Sequence, residues 1–62
     1  MFTLTIKTDN SAFDLPWRHE EIARILREIA RHMAEDKDDS GLCVDMNGNV
    51  VGRFTLTEEA AS

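Results

Sequence analysis

The sequence predicts a small α+β domain in the order β-α-β-β, in which a three-stranded antiparallel sheet is covered on one face by a single helix. Three observations indicate this: alternating apolar residues near the N-terminus, an apolar stripe at helical spacing in the middle, and two alternating segments around Asn47-Gly48. A chain of 62 residues is near the lower limit for autonomous folding. We therefore expect one domain over residues 1–62, with too small a core for a deep substrate cleft.

The first strand is predicted over residues 2–8. Phe2, Leu4 and Ile6 alternate with polar residues, and this period of two is typical of a strand with one buried face. The polar residues that follow, 8–11, favour a turn because their short side chains bond to nearby backbone groups.

The helix is predicted over residues 15–35, with Asp14 as the residue that caps its N-terminus and Pro16 in its first turn. Trp17 is expected to close the apolar stripe at that turn. The opposite face alternates arginine with glutamate and allows ion pairs such as Glu20 with Arg24. The stripe itself follows the i, i+3, i+4 rule and consists of Ile22, Ile25, Leu26, Ile29, Ala30 and Met33.

A hairpin is predicted from strands over residues 41–46 and 49–57, followed by an acidic tail over 58–62. A two-residue turn at Asn47-Gly48 would place Arg53 in the core, so we prefer a three-residue loop over residues 46–48, with Gly48 in the left-handed position. In that arrangement the buried face holds Leu42, Val44, Val50, Phe54 and Leu56.

The third strand is expected to lie in the middle of the sheet, which gives the spatial order 1-3-2. The helix then covers one face only. The open face is expected to carry Cys43, Asp45, Val51 and Arg53 beside the threonines of strand one, and a partner or a second copy of the chain could cover it.

Composition argues against several classes of function. The net charge of -5 argues against direct binding of nucleic acid, which requires clustered Lys and Arg, and favours a basic protein surface as partner. A single cysteine, Cys43, suits a reducing compartment. The alternating N-terminus is unlike a signal peptide, and no segment reaches the roughly 20 apolar residues of a membrane span. We therefore expect a cytoplasmic protein.

The predicted topology brings the end of the helix, the start of strand two and the end of strand three to one pole of the molecule. Carboxylates there face the negative end of the helix dipole, so local stability does not explain them. They form either a solvated loop or a docking surface for a basic partner. The candidate partner-binding residues are Glu35, Asp36, Asp38, Asp39, Glu58 and Glu59, with Asp9, Asp14 and Asp45 as secondary candidates.

No catalytic or metal-binding group is predicted, and no cofactor. Residues 36–41 match the first half of an EF-hand calcium loop, but Asn47 stands where that loop requires a bidentate Glu. His19 and His32 lie about four helical turns apart, too far to share a metal ion. Cys43 has no motif that would orient a base beside it. The arginines of the helix, each of which has a glutamate nearby, form a second surface that could contact an acidic partner.

Three pieces of the chain carry a resemblance: residues 5–13 (T-I-K-T-D-N-S-A-F), residues 23–27, and residues 45–52 (D-M-N-G-N-V-V-G). They resemble a group of short proteins encoded by bacteriophages and prophages, over residues 3 to 56. Small acidic phage proteins include anti-CRISPR inhibitors, several of which mimic DNA in charge. The resemblance implies an inhibitor that uses its carboxylates against a CRISPR effector complex. The alternative is an interaction adaptor that works through the open sheet face or the helix, or as a homodimer.

Overall fold

The computed structural model describes residues 1–58 and confirms the predicted α+β class. Its elements in chain order are β1 (Phe2–Ile6), a short 3₁₀ helix (Ser11–Phe13), α1 (Arg18–Asp36), β2 (Ser40–Val44) and β3 (Val50–Leu56). Both pairs of neighbouring strands are antiparallel and the order is β1-β3-β2, as predicted.

The start of α1 differs from the prediction. The helix begins at Arg18, and the residue before it, Trp17, makes no side-chain cap. Asp14 instead follows the 3₁₀ helix, where its carbonyl accepts a hydrogen bond from the Trp17 N–H at 2.8 Å. Trp17 is 57% exposed, so the prediction that it closes the apolar stripe is wrong. At the other end, Lys37 adopts a left-handed conformation that ends the helix, with its N–H donating to the Met33 carbonyl.

The core lies between α1, the 3₁₀ helix and one face of the sheet. The apolar stripe contributes Ile25 and Ile29 as buried residues, and the half-buried Ile22 and Met33 pack beside them. Phe13, for which the sequence predicts no role in the core, is among the most deeply buried side chains at 1% exposure. The 3₁₀ helix is therefore part of the core, not only a connection.

The hairpin has the predicted loop. The Asp45 N–H donates to the Asn49 carbonyl at 2.9 Å, and the Gly48 N–H donates to the Asp45 carbonyl at 3.1 Å. Gly48 has φ +85°, the left-handed conformation that glycine adopts at little cost. These contacts confirm a three-residue loop over residues 46–48.

Beyond the loop the pairing shifts by one residue, and this reverses the predicted faces of β2. Val44 lies opposite Val50, but Cys43 lies opposite Gly52, so Val51 is an extra residue in β3, as in a β-bulge. Because side chains alternate with a period of two, one extra residue in β3 changes which residues of β2 share a face with Phe54.

The exposures follow this shift. Cys43 and Val51, expected on the open face, are buried at 1% and 6% exposure. Three residues of the expected buried face are exposed instead: Leu42 at 58%, Val44 at 42% and Val50 at 59%. The predicted buried face is therefore wrong for these three residues and right for Phe54. Leu56 lies on the same face as Phe54, but it is 43% exposed at the end of β3.

Gly52 provides a test of the sheet packing. A Cβ atom at this position would overlap the backbone carbonyl of Thr5 on the neighbouring strand, and a backbone atom cannot move aside cheaply. We expect Gly52→Ala to lower the free energy of unfolding by about 2 to 3 kcal/mol. Urea denaturation measures this, and Ser40→Ala, an exposed change on the other strand of the hairpin, should shift stability by less than about 0.5 kcal/mol. Equal effects from the two variants would contradict the described packing.

Candidate functional site

The predicted convergence of carboxylates can be followed in the backbone. The Leu56 N–H donates to the Asp39 carbonyl at 2.6 Å, which holds the segment between α1 and β2 against the end of β3. We call the carboxylates gathered there the acidic pole. Its members are all exposed, and they are Glu35, Asp36, Asp38, Asp39 and Glu58; Glu59 lies outside the described residues.

This end of the molecule carries fewer cations than carboxylates. The N-terminal ammonium donates to the Thr57 carbonyl at 2.5 Å, and Lys37 ends the helix. The Nδ1 atom of His32 lies 3.4 Å from a carboxylate oxygen of Asp36, a contact that gains charge only when the histidine is protonated. The ion pairs that Arg24 makes lie on α1 with Glu21 and Glu28. Within residues 1–58 the acidic pole therefore keeps an excess of negative charge.

One of the secondary candidates has an internal role. Asp45 is 4% exposed, and its carboxylate accepts hydrogen bonds from the Asn47 and Asn49 N–H groups, both at 2.9 Å. The side-chain amides of Asn10 and Asn49 donate to its second oxygen at 2.9 and 3.2 Å. Asp45 was expected on the open face, but these four bonds bury it in the hairpin loop. It therefore presents no carboxylate to a partner, whereas Asp9 and Asp14 are exposed.

A second buried carboxylate, Glu21, joins the helix to the same loop. It is 3% exposed and accepts from Arg24 at both oxygens, with Nε at 2.7 Å and a terminal nitrogen at 3.1 Å, and from the Met46 N–H at 2.6 Å. Arg24 also donates to Glu28 and to the Val44 carbonyl, each at 3.1 Å. The sequence prediction paired Arg24 with Glu20, so it missed this contact between helix and hairpin.

Asn10 joins the two most distinctive pieces of the sequence. Its side-chain carbonyl accepts from the Ala12 N–H at 2.8 Å, which caps the 3₁₀ helix, while its amide donates to Asp45. The T-D-N-x-A-F and D-x-N-G-N pieces therefore meet in space. The bonds they make fix the 3₁₀ helix and the hairpin loop against each other, which is a structural role.

Both buried carboxylates are held in their ionised form. The hydrogen bond from Arg24, with help from the Met46 N–H, lowers the pKa of Glu21 more than burial raises it. Burial is the largest single influence on Asp45 and raises its pKa, but together the hydrogen bonds from Asn49, Asn10 and Asn47 outweigh it, so the pKa lies below its ordinary value. Arg24 in turn has a raised pKa because of its bond to Glu21.

Cys43 is buried as a free thiol. Burial raises the pKa of the Cys43 thiol, which keeps it protonated and weakly nucleophilic. Within residues 1–58, no three side chains among His, Cys, Asp and Glu are grouped closely enough to hold a metal ion. In the same part of the chain, no helix has both the length and the apolar character needed to cross a bilayer.

Comparison of the chain with protein-family models, with curated proteins and with solved structures gives no match. The resemblance to phage proteins therefore remains a prediction from the sequence.

Removing Glu21 should separate the hairpin loop from the helix. Glu21→Ala leaves the Met46 N–H without its acceptor and removes two of the hydrogen bonds of Arg24, and we expect the free energy of unfolding to fall by about 2 to 3 kcal/mol. Glu20→Ala is the matched control, because Glu20 is the exposed neighbour on the same helix, and should cost less than about 0.5 kcal/mol. A neutral Glu21→Ala would show that the contact contributes nothing to stability.

The lowered pKa values of Glu21 and Asp45 predict a loss of stability in acid. The unfolded chain takes up protons at these carboxyls before the native state does, so their contribution is complete above about pH 5 and is lost as the pH falls below about 4. Urea unfolding measured from pH 7 downwards should show this fall. Glu21→Gln, which cannot titrate, should show a smaller fall in the free energy of unfolding between pH 7 and acid. The same fall in both proteins would show that Glu21 does not contribute to the acid sensitivity.

Proposed function

We propose that the protein is a non-enzymatic, phage-encoded inhibitor that docks its acidic pole on a basic, DNA-binding surface of a host defence complex. A CRISPR effector complex is the expected target. The observation that carries the proposal is the placement of Glu35, Asp36, Asp38, Asp39 and Glu58 at one end of the molecule, where α1 ends and the hairpin strands begin and end.

The mechanism is competition for cations. A surface that binds DNA presents Lys and Arg at positions where phosphates lie, and clustered carboxylates can take those positions. The excess negative charge of the acidic pole would also speed the encounter with such a surface at low salt.

The anchoring of the pole supports this mechanism. Because the Leu56–Asp39 hydrogen bond ties the segment after α1 to the end of β3, carboxylates from separate parts of the chain are displayed on a common framework. Less conformational entropy is then lost when they bind than with a free acidic tail.

The remaining features fit a binding protein in the host cytoplasm. Competition requires neither a catalytic group nor a cofactor, and Cys43 is buried as a free thiol, which suits a reducing compartment. The carboxylates of Glu21 and Asp45 stabilise the fold instead of contacting the partner. Asp9 and Asp14 remain secondary contacts, on the connection between β1 and α1.

Charge reversal at the acidic pole tests the proposal. We expect Asp36→Lys with Asp39→Lys to weaken inhibition by at least about tenfold, because two attractive contacts become repulsive. The readout is displacement of labelled target DNA from each of a panel of purified, guide-loaded CRISPR effector complexes.

The matched control makes the same change in net charge elsewhere. Asp9→Lys with Asp14→Lys reverses two exposed carboxylates before α1, and because these are only secondary contacts, inhibition should fall by no more than about threefold. Equal loss in both double variants would indicate an effect of net charge alone. Full inhibition by the Asp36/Asp39 variant, or no displacement from any complex, would overturn the proposal.

A second candidate function is favoured by the reversed faces of the hairpin. Leu42, Val44 and Val50 expose apolar surface that the sequence analysis had assigned to the core, and such a patch suits an interaction adaptor. The dependence of binding on salt concentration distinguishes the two functions. Binding through the acidic pole should weaken steeply as ionic strength rises, whereas binding through this patch should change little.

A further inference from the structure

A groove lies between α1 and β2, next to the acidic pole. Its volume is about 250 Å³, and its floor is formed by the buried side chains of Ile25, Ile29, Cys43 and Phe54. Three of these side chains are hydrocarbon, and a buried protonated thiol behaves as a small hydrophobic group. The floor therefore favours an occupant with an apolar surface.

The small side chains of β2 explain why the groove is open. Gly41 and Cys43 line it from the strand, whereas α1 contributes the longer Ile25 and Ile29. A Cβ atom at position 41 would lie 2.6 Å from the ring of Phe54, so a larger residue there would displace that ring. Glycine at this position therefore leaves the space beside the helix unfilled.

The volume of the groove limits the size of its occupant. Sites for drug-sized molecules and cofactors typically measure roughly 300 to 1,000 Å³. A groove of about 250 Å³ is smaller than these sites. It suits one long side chain of a partner protein better than a whole cofactor.

The charge at the rim favours a cation. Glu28 is bonded to Arg24 at 3.1 Å, and His32 lies 3.4 Å from Asp36, so these rim groups already have partners. Asp38 also lines the groove and is exposed, and its side chain makes no hydrogen bond or ion pair within residues 1–58. Its carboxylate is therefore available to a positively charged group.

We propose that the groove receives the side chain of an arginine from the basic surface on which the acidic pole docks. The methylene stem lies on the apolar floor, and the guanidinium pairs with the Asp38 carboxylate. Arginine suits this position better than lysine because a guanidinium is more weakly hydrated than an ammonium group. The source of the arginine rests on the proposed function, whereas the preference for an apolar stem with a guanidinium is a property of the groove.

The groove would add an anchor to the acidic pole. Carboxylates at an exposed surface contribute mainly to the rate and specificity of docking. A side chain that enters a water-excluding pocket contributes more to affinity, and arginine is enriched among such interface residues. Asp38 belongs to both the acidic pole and the groove, so both surfaces would be occupied in one docking event.

Titration of the protein alone with n-propylguanidinium, which reproduces an arginine side chain, tests the groove. The methyl NMR signals of Ile25 and Ile29 should shift saturably, because both side chains line the floor. Guanidinium, which has no stem, should bind at least about tenfold more weakly. N-propylurea, the neutral analogue of the same shape, should bind about three- to fivefold more weakly, because it cannot pair with a carboxylate.

Adjacent carboxylates provide matched variants. Asp38→Asn should raise the Kd for n-propylguanidinium about three- to fivefold, whereas Asp39→Asn, a change at an exposed residue outside the groove lining, should alter it less than about twofold. Unchanged methyl spectra without the probe would show that both variants fold. The proposal is overturned by the absence of a saturable shift, by equal affinity for N-propylurea, or by equal effects of the two variants.

Displacement of DNA from the effector complexes distinguishes this inference from the proposed function. A groove that holds an arginine of the target predicts a greater loss of inhibition for Asp38→Asn than for Asp39→Asn, whereas the acidic pole alone predicts equal losses. Equal losses would exclude the target's arginine from the groove and leave the proposed function standing. If the unaltered protein displaces no DNA, the proposed function and the source of the arginine both fail, and the titration still decides what the groove binds.

Discussion

A carboxylate removed from water needs several hydrogen-bond donors, and Glu21 and Asp45 find theirs on separate segments of a very short chain. Asp45 collects donors from the hairpin loop and from Asn10, while Glu21 collects them from its own helix and from the loop. Both carboxylates can be satisfied only when the 3₁₀ helix, α1 and the hairpin have their native arrangement. The polar network therefore specifies how the elements dock, which a small apolar core does less selectively.

Local patterns were enough to predict the elements but not how they pack. The alternation in β1, the stripe on α1 and the Asn47-Gly48 loop gave the class, the strand order and the left-handed glycine. The buried face of the hairpin was predicted wrongly because Val51 is an extra residue in β3, and no local signal marks it. Cys43 and Leu42 exchanged their predicted environments for that reason alone.

The sequence likewise predicted one part of the candidate site and missed another. The acidic pole follows from topology, because element order alone brings the end of α1 to the end of β3. The roles of Asp45 and Glu21 depend on contacts with residues that lie 35 and 25 positions away in the sequence. Patterns among adjacent residues could therefore not predict them. One available signal was the presence of Asn10 and Asn49 in short polar pieces, since a side-chain amide can donate two hydrogen bonds to a carboxylate.

The extra residue in β3 also governs the surface chemistry of the whole hairpin. With Val51 present, the strand beside the helix hides its only thiol and displays aliphatic side chains to solvent. Without Val51, the register set by the loop would continue along the hairpin, so that Leu42 would take the buried face of β2 and Cys43 would face solvent.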